Sequence, residues 1–501
     1  MTLLRTKSIE QTLAASEEES HHLKKRLSAL DLVVFGVGVI IGAGIFTVTG
    51  KAAQQYAGPS IALSFVIGAI VCGLAALCYA EFASTVPISG SAYTFSYATL
   101  GELIAWIIGW DLLLEMMLGA SVVAQGWSEY LVTLLSQLGV TWPASLGPGS
   151  HFDLLAFLLI AALTGLVAIG IKESLRVNLV LVGIKVFIVL FVIIAGLFYV
   201  KQENWSPFIP PSQPGKAASG LSTPLIQLIS GMTPATFGVL GIMAGAAIVF
   251  FAYIGFDVVA TTAEEAKNPK RDLPIGILGS LIICTILYMA VSLVITGMVH
   301  YPDIDTKAAL ARAFIDVGRP GFATLISAGA VAGLTTVVMT LLIGATRVTF
   351  AMSRDRLLPA GLGRTHPRTG TPVRLTLIVG TLVALIASLT PIGKLEEMVN
   401  IGTLSAFMLV SIAVPILRKR RPDLKRSFRV PGNPVVPWLS ALFCFYLILN
   451  LSIETWLRFI IWMVLGFAIY FLYSRSHSRL ETGEEFTRYD ERGMPQMLDE
   501  G

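Results

Sequence analysis

Lys185 is the residue whose chemistry differs most from its surroundings. It lies in the apolar stretch NLVLVGIKVFIVLF, about 11 residues from the nearer end of a predicted span, or roughly 16 Å along a helix that rises about 1.5 Å per residue. Ionisable residues at such a depth mark ion and substrate pathways. Because burial disfavours the charged form of an amine, Lys185 is a candidate for binding and releasing a proton. The alternatives are a static ion pair and a structural tether.

Two stretches are rich in residues that weaken a helix interior. GVGVIIGAGIFTVTG, Gly36 to Gly50, carries five glycines, and each glycine costs a helix roughly 1 kcal/mol relative to alanine. VFFAYIGFDVVATTAEEAKNPKRDLP, Val249 to Pro274, places Gly255 and Asp257 among apolar and aromatic residues. Both stretches are predicted to interrupt a helix and so to free backbone amide and carbonyl groups for a solute. The alternative for the first stretch is that its glycines allow close helix packing.

The composition indicates which elements must hold these residues. The chain has 501 residues, of which 54% are hydrophobic and 14% charged, whereas soluble domains carry about 25% charged residues. Apolar runs of about 20 residues indicate membrane-spanning helices, so we predict an all-α integral membrane protein. About twelve spans are expected, at residues 31–56, 60–84, 102–136, 152–171, 174–200, 238–262, 274–298, 320–353, 373–390, 396–417, 437–453 and 456–474.

The two weakened stretches fall in the first and sixth spans. An odd number of spans per half inverts the second half, and paired interruptions in matching positions indicate a transporter binding site near the bilayer midplane. Most Lys and Arg residues lie in segments that are cytoplasmic when both termini are inside. The predicted organisation is a cytoplasmic segment 1–30, a first five-helix repeat 31–200, an extracellular loop 201–237, a second repeat 238–417, a basic cytoplasmic loop 418–436, helices 11 and 12 at 437–474, and a cytoplasmic tail 475–501.

Several classes of function are disfavoured. The six histidines lie in tails and loops, without the spacing of metal ligands, and no nucleophile elbow or phosphate loop is present, so no enzyme activity, metal or cofactor is expected. The four cysteines lie within predicted spans, which excludes an extracellular disulfide framework. The basic run RKRRPDLKRSFR, Arg418 to Arg429, is predicted to be a topology signal near anionic membrane lipid. No nucleic-acid partner is expected.

Several motifs together resemble the amino acid–polyamine–organocation superfamily. They are GVIIGAGIF in the first span, ISGSAYTFSYATLGELIAWIIGWDLLLE from Ile88 to Glu115, and EEAKNPKRDLP after the sixth span. The segment from Ser89 to Ser128 and RDRLLP, Arg354 to Pro359, are most similar to the cationic amino acid transporters and their bacterial proton-coupled relatives. The resemblance implies a LeuT-type fold, with a five-plus-five inverted repeat, discontinuous helices 1 and 6, and two further C-terminal helices. It also implies an amino acid bound at the two interruptions.

The interruptions offer groups for both ends of an amino acid. The amides of Gly42, Ala43 and Gly44 begin a new half-helix and suit a carboxylate. Carbonyl groups suit the ammonium, and the candidates are those of Ile40, Ile41, Ile248, Phe251 and Ile254. By resemblance Phe251 covers the substrate from outside, although an aromatic residue packed between helices is the alternative.

The resemblance also bears on the coupling ion. In proton-coupled members a lysine on the fifth span replaces a sodium ion, so the Lys185 ammonium is expected to bond carbonyls near Gly36 to Val39. Its protonation would hold the inner half of the first span in place. AGLTT, Ala332 to Thr336, keeps residues that sodium-coupled relatives use, so Ala332, Thr335 and Thr336 form an alternative cation site. Hydroxyl groups that bond their own helix are the simpler interpretation.

The sequence says least about which amino acid the protein prefers. Glu115 is expected to pair with a basic side chain of the substrate, to bond within the protein, or to be protonated. Met339 either limits the depth of the pocket or packs in the core. The predicted function is import of L-amino acids across the plasma or inner membrane by proton symport and alternating access. An exchanger, a sodium-coupled symporter and an amino acid sensor are the alternatives, and the preferred amino acid and any accessory subunit stay open.

Overall fold

The computed structural model describes residues 27–482 and two short strands beyond them. The gaps within that range are residues 43, 86–90, 171–174, 215–219, 233–234, 262–265, 365, 367–370, 423, 425 and 427. Nearly all of the described chain is helical, which confirms the prediction of an all-α protein.

The α-helices follow one another with short connections. In chain order they are α1 (Ala29–Ile40), α2 (Thr49–Ala52), α3 (Ile61–Thr85), α4 (Ser91–Thr99), α5 (Glu102–Gln137), α6 (Leu154–Ile169), α7 (Leu175–Leu197), α8 (Leu225–Ile229), α9 (Gly238–Val249), α10 (Phe256–Thr261), α11 (Pro269–Met298), α12 (Ala309–Asp316), α13 (Pro320–Arg354), α14 (Val373–Leu389), α15 (Ile392–Arg420), α16 (Val435–Leu449), α17 (Ile453–Ile469), α18 (Arg475–His477) and α19 (Arg479–Thr482). Turns of π-helix occupy Gly44–Val48, Ala53–Ala57 and Tyr470–Ser474. Turns of 3₁₀-helix occupy Gly58–Ser60, Ala144–Leu146, Gln202–Trp205, Gly220–Ser222, Phe250–Tyr253, Tyr301–Asp303 and Ala360–Gly363.

The described helices account for every predicted span. Eight are long and apolar enough to cross a membrane, and four shorter apolar helices accompany them: Ala29–Ile40, Leu154–Ile169, Val373–Leu389 and Val435–Leu449. Apart from the first and the sixth, each predicted span lies on one of these helices, with ends that agree within a few residues. Spans 31–56 and 238–262 are each divided among several helical segments. The number of crossings, twelve, stays a prediction.

Helix α5 is the centre of the helix bundle. It is buried along most of its length, packs most extensively against α13, and also contacts α15 and α14. Helix α11 packs against α1 and α3 in the same way. By contrast, α17 exposes large apolar side chains such as Ile461 and Val464, which would face lipid in a membrane.

The start of α1 shows how local chemistry fixes a helix end. Ser28 precedes the helix, and its side chain accepts a hydrogen bond from the amide of Asp31, while the Asp31 carboxylate accepts one of 2.8 Å from the amide of Ser28. Such reciprocal bonds satisfy two amides that a helix leaves unpaired. Nearby, the amide of Lys267 donates a hydrogen bond of 2.8 Å to the carbonyl of Leu27, so the beginning of α1 is joined to the segment after α10.

Some elements were not predicted. Helices α4 and α12 lie outside the predicted spans, and strands β1 (Gln213–Pro214) and β2 (Ala235–Thr236) pair antiparallel within the loop 201–237. A second ribbon joins β3 (Arg488–Tyr489) and β4 (Pro495–Gln496) in the predicted tail.

Candidate functional site

The first helix interruption lies where the sequence predicts it. Helix α1 ends at Ile40, and Ile41 leaves the helical conformation with a ψ of 86°. A π-helical turn begins at Gly44, so the chain is not helical at Gly42, and Ala43 lies outside the described residues. The inner and outer halves of the first predicted span are therefore separate helical segments.

The second interruption is in the sixth predicted span. Helix α9 ends at Val249 and a 3₁₀ turn follows from Phe250 to Tyr253. Ile254 is extended, with a ψ of 137°, and Gly255 has a φ of +112°. This φ is one that side chains disfavour and glycine adopts readily, so Gly255 allows the chain to turn before α10 begins.

The two interruptions pack against each other. A side-chain carbon added to Gly44 would overlap the backbone of Ala252, and one added to Gly255 would lie 2.7 Å from Cγ1 of Val39. Glycine at both positions is therefore required by the close approach of the two broken segments. The contact joins the interruption of the first span to that of the sixth.

The other glycines of the first span differ in how tightly they pack. Gly36 packs tightly, since an added carbon would lie 2.6 Å from Oγ of Ser280, and Gly38 packs against Val182. At Gly42 the nearest atom, Cγ1 of Val337, would be 3.3 Å away. Close packing thus explains Gly36 and Gly38, while Gly42 has more room beside it.

Two buried polar side chains already bind candidate carbonyl groups. The Tyr288 hydroxyl donates a hydrogen bond of 2.7 Å to the carbonyl of Ile40, and Nδ2 of Asn400 donates one of 3.2 Å to that of Ile248. Each carbonyl oxygen has two lone pairs. The Ile40 carbonyl therefore keeps one for another donor, whereas the Ile248 carbonyl also accepts the amide of Phe250 and has both in use. The sequence analysis missed Tyr288 and Asn400, although each is a polar residue within an apolar run.

The apolar candidates surround this region. Phe251 lies in the 3₁₀ turn with 6% of its surface exposed, Met339 lies on α13 with 8% exposed, and Ile41 is fully buried. Ile254 is the extended residue between the turn and Gly255.

Lys185 bridges three helices. Its side chain is 2% exposed, and its Nζ donates a hydrogen bond of 2.6 Å to the carbonyl of Gly38 in α1. Its aliphatic part lies against Gly333 of α13, where an added side-chain carbon would be 2.7 Å from Cγ of Lys185. The ammonium therefore reaches the carbonyl region that the sequence analysis expected, next to the hydroxyl residues of α13.

The alternative cation residues bond mainly within their own helix. The Thr335 hydroxyl donates to the carbonyl of Val331 at 2.8 Å and accepts from Nε1 of Trp127 at 3.0 Å. The Thr336 hydroxyl donates to the carbonyl of Gly333 at 2.8 Å. Ala332 lies one residue before Gly333, on the same helix. These bonds match the simpler interpretation and leave lone pairs on the hydroxyl oxygens.

Buried acidic groups lie beside the second interruption. Glu115 of α5 is 2% exposed and interacts with Asp257 of α10 and Thr403 of α15. Within the described residues, Oε2 of Glu115 has no hydrogen-bond partner, while the carboxyl group of Asp257 lies near the backbone amides at the start of its own helix. The hydroxyl of Tyr79 nearby also lacks a hydrogen-bond partner among those residues.

The two interrupted helices contact each other, and a buried ammonium group binds the inner half of the first. Together with the apolar helices, these features define a multi-pass membrane protein built around a polar centre. The model of the amino acid permease family matches residues 27–470. The chain belongs to this family, which is related to the superfamily that its motifs resemble. It is a transporter by family and not an enzyme.

Its relatives are named for different solutes. The chain is 48% identical over 490 residues to the branched-chain amino acid permease BcaP of Bacillus subtilis, covering 96% of this chain and 99% of that protein. It is 46% identical to the methylthioribose transporter of the same organism, covering 96% and 99%. It is 39% identical to the vacuolar cationic amino acid transporter 4 of Arabidopsis thaliana, covering 84% and 68%. Sequence identity alone therefore does not identify the solute.

Proposed function

We propose that the protein imports L-amino acids by proton-coupled symport. The observation that carries the proposal is the hydrogen bond from Nζ of Lys185 to the carbonyl of Gly38. It links the charge of a buried amine to the inner half of an interrupted helix. Amino acid transport is the general function of the family, while the coupling, direction and site are our inference.

The two interruptions form the proposed substrate site. The amides of Gly42, Ala43 and Gly44 bind the carboxylate, because a helix start presents unpaired amides and a positive dipole end. The ammonium binds carbonyl groups of Ile41, Phe251 and Ile254, together with the remaining lone pair of Ile40. Support comes from the close contact of Gly44 with Ala252, which joins the outer half of the first span to the turn of the sixth.

Lys185 is the proposed coupling group. When protonated, its ammonium holds α1 through the Gly38 carbonyl. A neutral amine binds that carbonyl less strongly, because hydrogen bonds from charged donors are roughly twice as strong as neutral ones. Loss of the proton then frees α1 to move about the break at Ile41 and Gly42, which opens the inner path. The sodium-coupled alternative uses Ala332, Thr335 and Thr336 instead.

The proposed substrate side chain is apolar. The candidate residues Ile41, Phe251, Ile254 and Met339 carry apolar side chains, which favour burial of a hydrocarbon side chain. The high identity to a permease named for branched-chain amino acids agrees with this proposal. Glu115 and Asp257 offer carboxylate oxygens that suit hydroxyl donors, so methylthioribose is a second candidate, favoured by the relative of that name.

The proposed topology completes the mechanism. Twelve spans cross the plasma or inner membrane with both termini cytoplasmic, and residues 31–200 and 238–417 form the two inverted repeats. Alternating access then moves the site between the two sides. Amino acid, proton and membrane lipid are the partners that this function requires.

Uptake by the full-length protein in sealed liposomes tests the proposal. Labelled L-leucine, L-alanine and L-arginine are supplied with an inward proton gradient, with a sodium gradient, or with neither, and unlabelled methylthioribose is added as a competitor. Leucine uptake that only the proton gradient drives is the expected result. Sodium-driven uptake would assign coupling to the α13 hydroxyls, and uptake only into liposomes preloaded with amino acid would show an exchanger. Binding without flux would favour a sensor.

A further inference from the structure

The loop 201–237 contains a short segment whose polarity is reversed. Helix α8 follows the 3₁₀ turn Gly220–Ser222 in this loop. The one polar side chain of α8, that of Gln227, is 1% exposed, whereas Ile229 is 70% exposed. Three further apolar side chains are at least half exposed: Leu221, Leu228 and Met232. A loop in water normally exposes its polar residues instead. We call residues 220–232 the apolar segment.

Gln227 holds the segment in this orientation. Its side chain binds both backbone groups of Ala235, since Oε1 accepts from the amide and Nε2 donates to the carbonyl, each at 3.3 Å. The carbonyl of Gln227 accepts the amide of Met232 at 3.1 Å. The polar side chain is therefore satisfied on the inner side of the segment, and the apolar side chains are on the other side.

The segment lies beside the start of α17. The amide of Leu225 donates a hydrogen bond of 3.0 Å to the carbonyl of Leu451, and the amide of Ile453 donates one of 3.1 Å to the carbonyl of Thr223. Trp456 follows within one turn of α17, and tryptophan is enriched where a membrane meets water. These contacts place the segment at the level where a predicted span ends.

The apolar surface of the segment borders surfaces that would face lipid. The turn Gly220–Ser222 contacts α17, which exposes Leu457 and Ile461. On the other side of the loop, Val239 in the first turn of α9 is also exposed. The segment thus extends the lipid-facing surface of the helix bundle into the loop.

The sequence around the segment is free of charge. Residues 217–256 include no Asp, Glu, Lys, Arg or His, whereas the connection at residues 299–319, on the same side, has seven such residues. Charged side chains are costly next to acyl chains, so an uncharged loop suits contact with lipid. Interfaces between proteins are enriched in aromatic residues and Arg, and residues 217–232 contain neither. Lipid therefore fits this surface better than a protein does.

We propose that the apolar segment is a membrane-contact surface, which lies in the adjacent leaflet with Leu221, Leu228, Ile229 and Met232 against acyl chains. In the proposed topology this is the extracellular leaflet. The contact requires neither a particular solute nor a coupling ion, so it does not depend on the proposed function.

The segment is connected to both interrupted spans. The loop that contains it ends at Phe237, whose amide donates a hydrogen bond of 3.0 Å to the carbonyl of Tyr56. Tyr56 lies at the outer end of the first predicted span, and Phe237 directly precedes α9 of the sixth. Lipid contact at the segment therefore acts next to the outer ends of the two broken helices.

Nitroxide spin labels report the medium around a side chain. Ile229→Cys and Met232→Cys are made singly in the full-length protein, labelled, and placed in nanodiscs that hold one copy each. Power saturation compares collisions with oxygen, which concentrates in lipid, and with a water-soluble nickel complex. The references are Ile461→Cys on α17 and Asp303→Cys, whose native side chain is 77% exposed in the connection 299–319. The four native cysteines are buried, so labelled wild type gives the background.

The expected oxygen-to-nickel ratio at both labels is close to that of Ile461→Cys and several-fold above that of Asp303→Cys. A ratio equal to that of Asp303→Cys would overturn the proposal, and would indicate a surface left open for a protein that the preparation lacks. Protection from both reagents would overturn it as well. Dipolar broadening in discs that hold two copies would then identify a second copy of this chain as the occupant.

A further variant tests which side chains hold the segment in lipid. Leu228→Ser combined with Ile229→Ser is expected to lower the ratio at Met232→Cys toward the aqueous reference, because two apolar side chains no longer favour transfer out of water. Leu146→Ser, at an exposed apolar residue of another loop, is the matched control and is expected to leave the ratio unchanged. An unchanged ratio in the double variant would contradict the assignment of the contact to α8.

Discussion

Nζ of Lys185 and the carbonyl oxygen of Gly38 are 2.6 Å apart, which joins the fifth predicted span to the inner half of the first. The bond lies just before the interruption at Ile41 and Gly42. A second bond, from the Tyr288 hydroxyl to Ile40, holds the same half from α11. The inner half of the first span is thus fixed at its broken end by two side chains, of which the lysine can change its charge.

Lys185→Met is predicted to abolish concentrative uptake. Methionine keeps much of the aliphatic packing against Gly333 but supplies no donor for Gly38, so a proton gradient no longer acts on α1. Exchange of labelled for unlabelled leucine is expected to persist, because the groups that bind substrate are intact. Uptake and exchange in liposomes are the two measurements, and Lys201→Met, at an exposed position, is the control. Proton-driven uptake at the wild-type rate in Lys185→Met would contradict the coupling role.

Gly255→Ala is predicted to destabilise the protein. The φ of +112° disfavours any side chain, and the new carbon would lie 2.7 Å from Cγ1 of Val39; the left-handed conformation alone costs about 1–2 kcal/mol. Thermal unfolding in detergent is expected to shift to a lower temperature. Gly165→Ala is the matched control, because its helical position in α6 has no atom within 4 Å. There alanine is expected to be neutral or to stabilise the helix by about 0.5–1 kcal/mol. Equal melting temperatures for the two variants would contradict the strain at Gly255.

The spans and the two interruptions were predictable because their signals are local. An apolar run of span length and a cluster of glycines are visible in the sequence without knowledge of neighbours. The packing of Gly36 and Gly38 against α11 and α7 was not, since a glycine in a sequence does not show whether it faces a helix or a solute. The sequence therefore left two interpretations of the same residues, and the structure assigns Gly36 and Gly38 to close packing.

The hydrogen-bond partners of single polar side chains could not be predicted from the sequence in the same way. Tyr288 and Asn400 are single polar residues in apolar helices, and nothing local indicates that they bind the carbonyls of Ile40 and Ile248. Asp153 and Lys307 line one cavity although they lie far apart in the chain, so only the fold brings them together. Helix α12 is too short for a span and was missed for that reason.

Tyr288→Phe and Tyr79→Phe are predicted to have different effects although both rings are buried. The Tyr288 hydroxyl satisfies the carbonyl of Ile40, and leaving such a group unpaired costs about 1–3 kcal/mol. The Tyr79 hydroxyl has no hydrogen-bond partner among the described residues, so its removal is expected to be neutral or stabilising. Melting temperatures of the two variants provide the comparison. A larger loss for Tyr79→Phe would show that its hydroxyl has a partner when the protein is in solution.

Removing one partner of the ion pair between Lys51 and Glu396 is predicted to lower the free energy of unfolding much more than removing both partners together. The side chain of Glu396 is 1% exposed and that of Lys51 is 18% exposed. Glu396→Gln leaves a mostly buried ammonium without its counter-charge, which typically costs about 3–5 kcal/mol. Lys51→Met combined with Glu396→Gln removes both charges, and the double variant is expected to recover most of that loss.

The exposed pair of Lys394 and Glu454 is the control for this cycle. Their nitrogen and oxygen are 3.2 Å apart, with side chains 50% and 33% exposed, and exposed pairs contribute only about 0–1 kcal/mol. Unfolding free energies of the single and double variants at both pairs give two coupling energies. A coupling at Lys51 and Glu396 no larger than at the exposed pair would mean that water screens the two charges freely, and the pair would then not hold the outer half of the first span against α15.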